Sequence, residues 1–267
     1  MHVTRVAAVV LRHFYLLRGS LTRVVPLFVW AAVDIVLWGF ITRYLNAVAG
    51  AKLDFVPALL GAVLLWDFCG RVMQGVTTAF FEDVWSRNFL NLFATPLSLT
   101  EYLVGLVVSS TVTSAVALVV MLALATGIFG LSFFAYGLTI VPFLLMLFLF
   151  GVALGILGSG MVLRLGPAAE WFVWPIPALV SPFVGVFYPL STLPPWMQHL
   201  ARLLPPSYVF EGLRRIIAGE AAPASLLVTG AALAVAYVVL ACWVFRRVYH
   251  HAARSGLLVR YSAENVS

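Results

Sequence analysis

The sequence predicts an all-α membrane protein with six transmembrane helices, and three observations lead there. Hydrophobic residues make up 63% of the 267-residue chain and charged residues only 10%, against roughly 25% charged in ordinary globular domains. Mean hydropathy is +1.05. The apolar residues fall in blocks of about 20 or more, the length a helix needs to cross a hydrocarbon core of roughly 30 Å. Lipid offers no water to unpaired backbone groups, so a crossing chain must be helical or a closed barrel, and the short alternating segments of a barrel do not occur here.

Residues 1–22 read as a helix lying in the membrane interface. Val3, Val6, Ala7, Val10, Phe14 and Leu17 fall on one helical face, with Arg5, Arg12 and His13 elsewhere on the wheel. Arg5, Arg12, Arg18 and Arg23 are spread through this region with no small-residue cleavage site after an apolar core, so the expectation is a retained N-terminus. Six spans are expected near 25–45, 56–80, 102–128, 138–163, 171–190 and 224–246, in one transmembrane domain over 1–267 without repeats or long linkers. An even number of spans puts both termini on one side. With the termini cytoplasmic, inner segments hold ten basic residues and outer segments five, namely Arg43, Lys52, Arg202, Arg214 and Arg215. That asymmetry places both ends in the cytoplasm, in what is read as a bacterial inner membrane.

The same composition excludes several functions. The formal charge of +6 sits beside membrane segments, where anionic headgroups attract it, so no nucleic-acid partner is expected and membrane lipids are. Cys69 and Cys242 lie inside apolar blocks without metal spacing and read as small core residues. A phosphate-binding loop needs a lysine beside its glycines. The only lysine is Lys52, in a short outer loop, so no cofactor is expected on this chain. An intramembrane enzyme would need clustered His, Asp or Glu near one interface, yet His2, His13, His199, His250 and His251 all fall outside the spans. An ion-coupled carrier working without an ATPase remains a rival.

Within the spans, charges are costly and therefore informative. Asp67 and Arg71 fall at i and i+4 in the second span, which brings them together as an ion pair or as a polar element of a path. Asp34 in the first span, one turn before Trp38, has no local partner. Gly151, Gly155 and Ser159 form a small-residue stripe suited to close helix approach, in the same subunit or a second copy. Span five carries Pro175, Pro177 and Pro182 among Phe172, Phe183 and Phe187. Prolines break helices, and broken helices line cavities. The path candidates are thus Asp34, Trp38, Asp67, Arg71, Phe172, Phe183 and Phe187, with a lipid-facing aromatic belt as the rival reading for span five.

Residues 82–100 form a polar cytoplasmic loop. Trp85, Phe89 and Leu92 share a helical face, with Glu82, Arg87 and Asn91 supplying polarity, so a short amphipathic helix is expected to stop before Pro96. It is either an interfacial connector or a docking helix for a soluble subunit. Residues 191–222 are punctuated by proline. Pro194 and Pro195 can start a helix that Pro205 ends, with Trp196, Leu200 and Leu203 on one face.

Two of these stretches carry a resemblance. The run from Asn91 to Ser98 with Glu101 behind it is similar to the cytoplasmic loop of type-2 ATP-binding-cassette exporter permeases. Leu193, Pro194, Pro195 and Trp196, then Pro206 to Tyr208, then Glu211, Gly212, Leu213 and Arg214, resemble that family's outer segment between spans five and six. The basic and aromatic N-terminal run of polysaccharide-exporting relatives is not found here, which favours the drug and lipo-oligosaccharide branches. The resemblance implies a coupling helix between spans two and three that meets an ATPase through Glu82, Trp85, Arg87, Phe89 and Leu92. It implies re-entrant outer helices closing an exit through Trp196, Tyr208, Glu211 and Arg214. It further implies a homodimer with two ATPase subunits, which would hold the ATP and magnesium, and transport directed outward. A wall rich in Phe, Trp and Leu suits an amphiphilic substrate.

Overall fold

The computed structural model describes residues 1–49, 56–86 and 89–255. Lys52 and the coupling candidate Arg87 lie outside the described residues. Those described form eleven helices, joined by short 3-10 turns and a π turn at Val56–Leu60, and contain no strand. They are α1 (Val3–Arg18), α2 (Leu21–Ala49), α3 (Gly61–Trp85), α4 (Phe89–Ala94), α5 (Leu99–Phe129), α6 (Ile140–Leu165), α7 (Glu170–Val173), α8 (Ile176–Val184), α9 (Pro195–Ala201), α10 (Pro205–Ile217) and α11 (Ala224–Arg254).

Five stretches of these are long and apolar enough to cross a membrane: Phe28–Val48, Ala58–Trp85, Leu99–Phe129, Tyr136–Leu165 and Ala224–Arg254. The segment expected as one span over 171–190 is different. It folds as two short helices, α7 and α8, with a turn at Trp174 and Pro175 between them. Pro175 and Pro177 have no N–H to continue the hydrogen-bond ladder of α7, so that helix stops and α8 restarts after Pro175, with Pro177 in its first turn where the N–H is not needed. α8 then ends at Gly185, whose φ of 69° is left-handed, a conformation that a side chain would strain.

The core is built on α3 and α6, and α6 also packs along α11. Glycine allows the close approach. A Cβ on Gly155 would stand 2.7 Å from Val76 Cβ and 3.0 Å from the Met73 carbonyl, and one on Gly151 would stand 2.6 Å from the Cys69 carbonyl. The small-residue stripe at Gly151 and Gly155 therefore meets α3 of the same chain. On the other side of α3, Ser110 of α5 donates its hydroxyl to the Val72 carbonyl at 2.8 Å. α2 lies outside this core, against α5; at its far end Arg43 sits 5.5 Å from the Phe129 ring.

α5 begins with a capping box. Ser98 accepts from the Glu101 amide at 3.3 Å and Glu101 accepts from the Ser98 amide at 3.0 Å, satisfying two otherwise orphaned donors. α1 packs on α5 and α2 with the side that carries Val9 and His13, which leaves its apolar stripe outward, as an interface helix requires. Val9 and His13 are buried, while Val3, Leu11, Phe14 and Tyr15 are exposed. The expected apolar face thus looks away from the protein, because the inward face is selected by polar partners described below.

Replacing Gly155 by Leu should overpack the contact between α3 and α6 and destabilise the fold by about 1–3 kcal/mol. The thermal midpoint of the purified protein in detergent should fall by several degrees. Leucine at Gly127, where an added Cβ meets nothing within 4 Å, should leave it close to wild type; equal shifts for both would refute the packing.

Candidate functional site

Three charged side chains from two helices converge in the apolar bundle. Arg71 on α3 is only 8% exposed. Its Nε donates to Asp67 at 3.2 Å, its Nη2 to Asp34 on α2 at 3.0 Å, and its Nη1 to Gln74 at 3.4 Å. Asp34 is therefore the second acid of an Asp34–Arg71–Asp67 cluster that ties α2 to α3. Helical spacing gives the pair on α3, whereas the partner of Asp34 is 37 residues away in sequence. An isolated charge at this depth costs several kcal/mol, and mutual pairing offsets most of it.

The cluster lines a cavity of about 620 Å³ bounded by α1, α2, α3, α5 and the turn after α7. Leu16, Leu17 and Thr22 stand in its wall with Trp30, Trp85 and Trp174. Of the path candidates, Asp34, Asp67 and Arg71 line it. Trp38 instead stacks on Phe187, with ring centroids 5.0 Å apart and planes at 15°. Phe183 meets Trp196 edge-on at 6.4 Å, and Phe172 is 68% exposed on the outside.

At the end of the cavity carrying α1, α3 turns into α4. The amphipathic helix expected from Glu82 onward is split: Glu82 and Trp85 complete the last turn of α3, and α4 starts at Phe89. Trp85 Nε1 donates to Glu170 at the start of α7 at 3.0 Å. Phe89 is fully buried, with ring centroids 5.6 Å from Phe80, 5.1 Å from Phe93 and 6.1 Å from Tyr102. Leu92 packs against the same core. What α4 presents to solvent is Asn91 and Ala94, followed by Thr95 and Pro96. Phe89 and Leu92 are thus anchors of the elbow rather than its outer face, because an aromatic ring that shares a helical face with leucine is as well suited to a core as to a partner.

A clamp of buried polar groups holds this elbow, built from residues that are not among the sequence candidates. Asp83 on α3 is fully buried, pairs with Arg12 of α1 and accepts from Tyr102 of α5 at 2.7 Å. Glu101 on α5 accepts the His2 amide at 2.7 Å and stands 3.5 Å from Arg5. His13 Nε2 donates to the Ala79 carbonyl at 3.1 Å. Burial holds the His13 pKa below its ordinary value, outweighing the raising effect of Asp83 nearby. Acid residues at 83 and 101 that match basic residues at 12 and 5 were the available signal. They lie 71 and 96 residues apart, so only the fold pairs them.

At the opposite end, Glu211 and Arg214 on α10 brace the turn after α8. Arg214 donates to the Gly185 carbonyl at 2.7 Å and to Glu211 at 2.9 Å, and Glu211 accepts the Leu190 amide at 2.9 Å. Tyr208 donates its hydroxyl to the Arg202 carbonyl at 2.9 Å, and Trp196 is exposed. No group of three or more His, Cys, Asp or Glu able to hold a metal occurs among the described residues.

Replacing Arg71 by Met should strand two acids and cost about 3 kcal/mol, the low end for a broken buried pair because Asp34 is 41% exposed. Adding Asp34→Asn and Asp67→Asn should restore most of the lost thermal stability; additive losses across the three changes would show that the groups act separately.

Comparison with curated proteins gave no significant match. The model of the family described as ABC-2 type transporter matches residues 11–218, a stretch that holds the cavity, the elbow and the brace on α10. A multi-pass helical chain with that match belongs to the ABC-2 type transporter family, as a membrane permease that carries the transport function without catalysis of its own.

Proposed function

We propose that the chain is the permease half of an ATP-driven exporter that moves an amphiphilic substrate across a bacterial inner membrane. It works as a homodimer with two soluble ATPase subunits, which hold the ATP and magnesium. The observation that carries this reading is the placement of the elbow. One rigid helix, α3, lines the cavity with Asp67 and Arg71 and ends in a clamp that leaves Asn91, Ala94, Thr95 and Pro96 exposed beside it.

In this reading α7 and α8 together make the sixth crossing. Glu170 meets Trp85 at the α1 end and Gly185 meets Arg214 at the other, with 15 residues from Glu170 through Val184, roughly 22 Å of helical rise. Both termini then lie in the cytoplasm, where the basic residues concentrate. The exposed apolar side of α1, with Leu11, Phe14 and Tyr15, rests in the inner leaflet interface. α9 and α10 form the outer re-entrant pair, with Trp196 at the lipid boundary and Tyr208, Glu211 and Arg214 fixing the exit turn.

Coupling follows from stiffness. A force on α4 reaches Phe89, whose ring is locked among Phe80, Phe93 and Tyr102, so α4 cannot slide without moving the end of α3. ATP-driven closure of the soluble subunits would bias two arrangements of this rigid unit that differ in access to the cavity.

Arginine at Ala94, on the exposed side of α4, should reduce co-purification of the ATP-binding-cassette subunit at least tenfold without changing the thermal midpoint of the permease. Phe89→Asp should instead lower that midpoint, since it buries a charge in an aromatic core. Undiminished ATPase recovery with arginine at position 94, or active transport by the permease alone, would overturn the proposal.

A further inference from the structure

The sign of charge in the cavity restricts what it can hold. Among the described residues the wall carries Asp34, Asp67 and Glu82 together with Arg71, and the charge free to act on a ligand is that of Asp34; His13 in the same wall is held toward its neutral form by burial. The guanidinium is already committed. Its Nε, Nη1 and Nη2 each donate to a side-chain oxygen, and two of those three partners are the carboxylates of Asp34 and Asp67. Asp34 is only half committed. Its Oδ2 accepts from Arg71, its Oδ1 has no partner among the described residues, and its side chain is 41% exposed.

Aromatic surface accompanies the acids. Trp30 precedes Asp34 by four residues on α2, so both project from the same helix face one turn apart. Trp85 follows Glu82 by three residues on α3, and Trp174 faces the same space. The wall therefore has two places where an indole stands next to a carboxylate, one on α2 and one at the elbow end of α3.

We infer that this cavity recognises an amphiphile with a cationic head, such as a protonated amine, a quaternary ammonium or a phosphonium, on an apolar body. This rests on reading the cavity as the transport site and names the substrate class for it. A charged head that leaves water must find a counter-charge, and Asp34 supplies one while the indole faces favour a cation over an anion of equal size. The volume of about 620 Å³ suits a drug-sized molecule. An anionic head, including the phosphate of a lipid-linked glycan, would have to draw Arg71 away from Asp34 and Asp67 and leave both unpaired.

Tetraphenylphosphonium and tetraphenylborate have nearly the same shape and opposite charge, so they isolate this term. Binding of each is measured to the full chain in phosphatidylcholine nanodiscs, with empty discs subtracted. Tetraphenylphosphonium should bind saturably and tetraphenylborate should not. Asp34→Asn, which leaves Arg71 paired with Asp67, should weaken the phosphonium at least tenfold. Should that variant fold poorly, Trp30→Ala at the cavity rim should weaken it at least threefold. Saturable borate binding as tight as the phosphonium, no saturable binding of either, or phosphonium binding indifferent to the folded variant would overturn the inference. ATPase co-purification is scored on the same preparations. Its retention alongside a failed phosphonium test sinks the cationic assignment alone, whereas its absence from the wild-type chain sinks the exporter reading beneath it.

Discussion

Asp83 has no contact with solvent, yet it carries a charge that three helices share. Arg12 reaches it from α1 and Tyr102 from α5, while the acid itself sits two residues before the end of α3. Removing either partner would leave a buried carboxylate short of a donor, and that penalty fixes which faces of the helices meet. Burial strengthens the constraint, because water cannot reach Asp83 to substitute for a lost partner. α1, α3 and α5 therefore meet as one body at the point where the chain turns into α4, and Glu101, with Arg5 and the His2 amide, adds a second tie between α1 and α5 about two helical turns along α1.

That clamp explains which face of α1 turns inward. Periodicity places Val3, Ala7 and Phe14 together on the stripe of an interface helix, but it does not say which residues on the other side meet the bundle. The inward side is decided by His13 and Arg12, which find their partners on α3 and α5. In a membrane protein apolar residues are at home on either side, so hydrophobicity loses the power to orient a helix that it has in water, and polar pairing takes over. The same reasoning separates what could be read from the sequence and what could not. Long apolar blocks reveal five long helices because length against bilayer thickness is a local property. The pair Asp67 and Arg71 was legible because helical spacing is local too. The partner of Asp34 and the burial of Phe89 were not, since each depends on which helices become neighbours.

The broken segment after α6 shows how a local rule can be right in its chemistry and incomplete in its geometry. Pro175 and Pro177 do interrupt the helix, as their missing N–H groups require. The proline rule does not say where the freed ends go. Here the break is held at both sides: Glu170 accepts from Trp85 before it, and Arg214 and Glu211 pin the Gly185 to Leu190 turn beyond it. Glu211 and Arg214, which stand out in the sequence through their resemblance to an outer-segment motif, thus have a structural duty that is visible in distances. They supply donors and an acceptor to backbone groups that neither α8 nor the following turn can satisfy internally.

α3 links these parts mechanically. From Asp67 to Trp85 it is an uninterrupted helix of roughly 27 Å, and its side chains belong in turn to the ionic cluster, the cavity wall, the clamp and the elbow. Its contact with α6 leaves no slack, since the Gly151 and Gly155 backbones already touch it. Its tie to α2 is of another kind: the Arg71 to Asp34 bond crosses a boundary where α2 and α3 share few other contacts. Motion delivered at the elbow would accordingly carry α3 and α6 together and be taken up where α2 meets α3, where the half-exposed Asp34 lines the cavity. A ligand that competes with Arg71 for Asp34 would then be sensitive to that displacement, because a change of an ångström or two in a charged pair matters far more at low dielectric than in water.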